Sequence, residues 1–196
     1  MLGIVTGTRQ RTLYILAADN DKETPMPDLK PESGTQRPIG AGVRIGHVHL
    51  KVSNIERALG FWRDVLGFEV MQRRPGAVFL AAGGYHHHIA LNTWESEGSA
   101  PPPKAATGLY HVAILYPTRG ELGRALARVH DAGVKLTGAS DHGVSVALYL
   151  DDPDGNGVEL YWDKPRPEWP VTADGQLDMG RAAVDLEALI SEGRAG

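Results

Sequence analysis

His111 stands at the head of an apolar run, Tyr110-His-Val-Ala-Ile-Leu-Tyr116. In an extended chain, alternation places His111, Ala113 and Leu115 on one face and Val112, Ile114 and Tyr116 on the other. The pattern occurs upstream as well, where His47, His49 and Lys51 alternate with Val48, Leu50 and Val52. Near the end, Glu159 stands between Val158 and Leu160. Two imidazoles and a carboxylate from three strands make up the donor set of a 2-His-1-carboxylate facial site, which leaves coordination positions open on a non-haem Fe(II). Taken singly, each residue reads as structural. Their coincidence in apolar, β-rich surroundings, where an unpartnered charge is costly, favours a metal.

Composition narrows the classes. The 196 residues suffice for one sizeable core or for two small modules that share one. A formal net charge of -4 with scattered positive residues offers nucleic acid no electrostatic footprint. Cysteine is absent, so any metal must be held by nitrogen and oxygen donors. No apolar run approaches the length of a membrane span. Residues 12–18 follow Arg9 and Arg11 but are cut short by Asp19 and Asp21, unlike a secretory leader, so a cytoplasmic location is expected.

The elements that must position the three donors repeat. Residues 1–42 divide into an apolar piece at 12–18, a candidate edge strand, and a polar arm with no assigned chemistry. A first module, 43–99, holds a strand at 46–52 and then a helix at 55–66, capped by Ser53 or Asn54, with Trp62 in the core and Gly67 as its stop. Strands are expected at 68–72, 77–81 and 87–93. A proline-rich linker, 100–107, leads to a second module, 108–163. It has a strand from His111, a helix at 119–132 ending before Gly133, and strands at 135–138, 146–150 and 157–162. This is an internal βαβββ repeat. The fold class is therefore α+β: two paired modules forming a cup-shaped, partly open mixed β-sheet barrel with the helices outside. The tail, 164–196, reads as an arm followed by an amphipathic helix at 179–190 that docks on the body or on a partner subunit.

Three stretches resemble the vicinal oxygen chelate superfamily: His47-Val-His-Leu-Lys-Val, Arg57-Ala-Leu-Gly-Phe-Trp-Arg-Asp-Val-Leu-Gly67 and Asp152-Pro-Asp-Gly-Asn-Gly-Val-Glu-Leu-Tyr161. The likeness covers about residues 43–163 and, within the superfamily, is nearest to the extradiol ring-cleaving dioxygenases of the catechol 2,3-dioxygenase group. It implies His47, His111 and Glu159 as ligands of Fe(II), or of Mn(II) or another divalent metal, with His49 as the fallback for His47. It further implies His87 as the acid/base residue, Tyr149 as a hydrogen-bond donor to substrate and His142 as an orienting or protonating group. The substrates would be a catechol-type aromatic and dioxygen. A glyoxalase would need a fourth ligand where this chain has Ala90.

The resemblance and the alternation disagree at one point: strict alternation puts His86 and His88, not His87, on the face of Ala90. Either a bulge near Gly83-Gly84 turns His87 inward, or a neighbouring histidine is the active one. Two rival functions share the fold. One is another metal-dependent enzyme, an isomerase, epimerase or lyase. The other is a small-molecule binding protein of the bleomycin-resistance kind. A homodimer is the general expectation for such a chain.

Overall fold

A computed structural model describes residues 37–103 and 105–196, together with residues 29 and 34. The strand expected at 12–18 lies outside the described residues. Helix α1 (Ile55–Trp62) begins at Asn54, whose side-chain oxygen accepts the Arg57 amide at 2.9 Å and so satisfies a donor that a helix start leaves open. It buries Ala58, Leu59, Phe61 and Trp62. It ends sooner than its apolar spacing suggests, in turns that reach Gly67 at φ 89°, a conformation that costs glycine little. Helix α2 (Arg119–Asp131) is capped in the same way by Thr118, which accepts from the Glu121 amide at 3.2 Å.

The strands form two four-stranded sheets. Strands β1 (Val48–Lys51), β2 (Glu69–Arg74), β3 (Ala77–Ala81) and β4 (Ile89–Asn92) lie in the order β1-β4-β3-β2. Strands β5 (Val112–Leu115), β6 (Leu136–Asp141), β7 (Ser145–Asp151) and β8 (Gly157–Asp163) lie in the order β5-β8-β7-β6. In each sheet the first pair is parallel and the others antiparallel. The repeat holds residue by residue. His49 and Phe79 both pair with Ala90, as Ala113 and Tyr149 both pair with Glu159. Even the irregularity recurs, since the register slips at Val70/Gln72 and again at Leu136/Gly138. The two sheets do not close into a barrel, in keeping with an open cup.

Buried side chains from both repeats form one cluster, which includes Leu50, Leu80 and Leu91 of the first sheet, Leu148, Val158 and Leu160 of the second, and Trp62 and Leu122 of the helices. The opposite sheet faces carry His49, Tyr149 and Glu159. The turn between β7 and β8 ties the repeats together. Asp152 accepts from the amides of Asp154 and Asn156, from the Asn156 side chain and from the Trp62 indole. Asp154 accepts from the Ser53 amide and the Arg57 guanidinium.

The tail differs from the expected 179–190 helix. Gly180 and Ala182 pair instead with His142 and Asp141, and before them Val171 bridges Leu177. Helix α3 spans Leu186–Ala195, because Asp185 accepts the Ala188 amide at 2.9 Å and sets the start there. Apolar spacing marked a helix but not its cap. Helix α3 packs on α2 backbone to backbone, where Gly193 meets Gly123 and Arg124. Among the described residues, no helix is long and apolar enough to cross a membrane.

Candidate active site

The second repeat assembles a chain of polar contacts on its open face. His111 immediately precedes β5, and its Nε2 lies 2.9 Å from Glu159 Oε2 on the neighbouring β8. Both side chains are partly sheltered, 31% and 14% exposed. Tyr149 stands beside Glu159 in the same cross-strand row, because the two are register partners. Burial first, and the Glu159 carboxylate second, push the Tyr149 phenol up to about 12, so it stays protonated at neutral pH. The Tyr149 hydroxyl lies 2.8 Å from His142 Nε2, and His142 Nδ1 lies 3.0 Å from the Gly180 carbonyl. Thus His111, Glu159, Tyr149 and His142 share one site.

The first repeat assembles a different group. The His47 and His87 rings are 4.4 Å apart, and His87 meets Phe79 edge-on at 5.2 Å. His86 Nδ1 and His87 Nδ1 lie 2.8 Å apart, while His49 turns its ring to Trp94 at 5.3 Å. Phe79 and His49 are both register partners of Ala90, so His87 reaches the face of Ala90. Alternation fails here because β4 starts only at Ile89. The residues before it are bends that follow the turn Gly83-Gly84, both at positive φ. A glycine turn, not a bulge within the strand, re-aims the histidine. His88 is engaged elsewhere: its Nδ1 accepts the Ala82 amide at 3.3 Å. Burial first, then the neighbouring histidines beginning with His47, hold the His87 imidazole below its ordinary value. Burial and then His47 do the same to His49.

The three expected metal donors are thus only partly gathered. His111 and Glu159 touch, while His47 sits with His87. Among the described residues, no three His, Asp or Glu side chains form a metal-holding group. His47 and His111 do line the same groove, a space of about 920 Å³ walled by Ile45, Leu109, Ile114 and Leu115 among others. The His111–Glu159 pair fits a metal on its own geometry. Donors that are cis on an ion with bonds of about 2.1 Å lie roughly 3.0 Å apart. The 2.9 Å separation matches. His111 Nδ1 is buried with no hydrogen-bond partner among the described residues, so the ring's polar contact is the one with Glu159.

Residues 44–160 match the model of the Glyoxalase/Bleomycin resistance protein/Dioxygenase superfamily. The chain belongs to this superfamily. It is 44% identical over 156 residues to a catechol-2,3-dioxygenase of Bacillus subtilis (strain 168), covering 79% of this chain and 53% of the relative. It is 34% identical over 120 residues to biphenyl-2,3-diol 1,2-dioxygenase 3 of Rhodococcus globerulus, covering 61% and 63%. The chain therefore spans between half and two thirds of the length of these curated relatives. A glyoxalase/dioxygenase structure from Nostoc punctiforme superposes with a TM-score of 0.52 at 17% identity over 67% of this chain and all of that one, a likeness of fold alone.

For this superfamily member, the sequence left two structural roles unseen. The side chain of Asp152 belongs to a quoted motif, but its contact with Trp62 needs the second repeat to be docked. The Gly180 carbonyl carries no side-chain signature at all.

Proposed function

We propose that this chain is an extradiol ring-cleaving dioxygenase acting on a catechol-type aromatic with dioxygen, and that His47, His111 and Glu159 hold its divalent metal, Fe(II) in the first instance. The observation that carries the reading is the His111–Glu159 pair at metal-ligand spacing, in a chain 44% identical to a catechol-2,3-dioxygenase. When bound, the metal supplies a Lewis-acidic, redox-active centre at which a catechol and oxygen can meet.

The protein residues supply orientation and proton handling. His87, neutral at pH 7 because its pKa is lowered, can accept a phenolic proton at Nε2 when its Nδ1–H is the hydrogen shared with His86 Nδ1. Tyr149 stays a neutral phenol beside Glu159 and hydrogen-bonds a substrate oxygen, with His142 behind it. His47 and His111 share one groove of a size usual for small-molecule sites, while Glu159, Tyr149 and His87 lie outside its lining. Ala90 occupies in the first repeat the register position that Glu159 occupies in the second. Its methyl group has no lone pair, which weighs against a four-ligand glyoxalase site.

The test is anaerobic purification, metal analysis and oxygen uptake with catechol and 2,3-dihydroxybiphenyl. The expected result is stoichiometric oxygen consumption with a yellow ring-opened product. Tight binding of unaltered aromatics with no oxygen uptake would replace the proposal with a binding protein. Bound metal together with isomerase or lyase turnover would replace it with another enzyme of the superfamily.

A further inference from the structure

The residues around Gly180 lie beyond the stretch 44–160 that matches the superfamily, yet they touch the candidate site. Asp141 and Ala182 exchange both backbone hydrogen bonds, at 2.9 and 2.8 Å. The Gly180 amide donates to the His142 carbonyl at 3.1 Å, and the Gly180 carbonyl lies 3.0 Å from His142 Nδ1. Lys164, at the start of the same tail, pairs with Asp141 at 2.7 Å. The tail is therefore laced to the segment that carries His142.

A carbonyl oxygen can only accept, so the proton on a neutral His142 belongs on Nδ1. Nε2 is then left with a lone pair toward the Tyr149 hydroxyl at 2.8 Å, a phenol that also faces the Glu159 carboxylate. We infer that the ribbon Gly180 to Ala182 is a positioning element of the active site: it fixes the His142 tautomer with the proton on Nδ1 and so keeps Nε2 as an acceptor facing Tyr149. This inference deepens the dioxygenase reading and rests on it for the identity of the substrate, though not for the tautomer. Backbone carbonyls that hold the far nitrogen of a functional imidazole are a common outer-layer device, and losing one typically costs about 10–100-fold in activity.

The experiment is imidazole nitrogen NMR on the full labelled chain, with His142 assigned by comparison with H142Q. The Nδ1–H signature is expected in the parent protein and in Tyr149→Phe, which removes the phenol but leaves the ribbon. It is expected to be lost in Ala182→Pro, which deletes the amide donating to Asp141, together with a fall in kcat of about 10-fold or more and little change in KM. An Nε2–H signature in the parent protein, or an unchanged signature in a folded Ala182→Pro, overturns the inference. If Ala182→Pro does not fold, scalar coupling across the His142 Nδ1–H to the Gly180 carbonyl carbon decides the matter: its presence supports the inference and its absence overturns it. A parent protein with the Nδ1–H tautomer but no catechol cleavage would sink the dioxygenase reading while the ribbon's role stands.

Discussion

The Trp62 indole donates to Asp152 at 3.3 Å, joining the helix of one repeat to the last turn of the other. Trp62 is fully buried and Asp152 nearly so. The carboxylate also gathers two amides and the Asn156 side chain, so the turn that sets the register of Glu159 is fastened to the first repeat.

Asp152→Asn should therefore destabilise the protein although it is nearly isosteric. Four donors converge on the carboxylate, and the amide nitrogen of asparagine faces two of them as a further donor. The expected loss is about 1–3 kcal/mol, read as a fall of several degrees in Tm. An unchanged Tm would remove the latch.

His87→Ala should leave metal content intact and lower kcat by about 100-fold or more, the usual worth of a positioned acid or base. Metal analysis beside steady-state kinetics separates this from a ligand defect. If His86→Ala lost turnover and His87→Ala did not, the active histidine would be reassigned.

The metal-free protein should weaken in mild acid. His49 and His87 have lowered pKa values in the fold, whereas an unfolded histidine titrates near 6.5. Above about pH 6.5 both states are neutral and the full stability is present. As pH falls through that value the unfolded chain takes up protons first, so stability drops until the folded pKa values are passed. Melting curves of chelator-treated protein between pH 5 and 8 check this, and His49→Asn should flatten the slope.

The same glycine-to-alanine change should have opposite signs at two sites. Gly60 lies within α1 with open space where a Cβ would go, so Gly60→Ala should stabilise by about 0.5–1 kcal/mol. Gly193 has the backbone of Gly123 and Arg124 in that space, so Gly193→Ala must displace α3. A loss of about 1–3 kcal/mol in denaturant melts is expected.

The sequence carried what repeats and what alternates. Asn54 and Thr118 mark helix starts through local chemistry, and the faces of β1, β5 and β8 follow from a period of two. His87 was not legible from alternation, because the Gly83-Gly84 turn resets the chain just before the strand. The start of α3 was misplaced because bridge pairing with Asp141, a contact across some forty residues, competes with apolar spacing. The meeting of His111 and Glu159 was legible, because His111 leads directly into β5 and Glu159 lies on its parallel neighbour β8. For His47 it depends on how two separate sheets face each other, which no local pattern encodes.

The most direct test of the central claim is metal stoichiometry in anaerobically prepared parent protein and in the His47→Ala, His49→Ala, His111→Ala and Glu159→Ala variants. The account predicts near-stoichiometric metal in the parent and in His49→Ala, and its loss in the other three. Glu159→Ala retaining full metal and full turnover would contradict it.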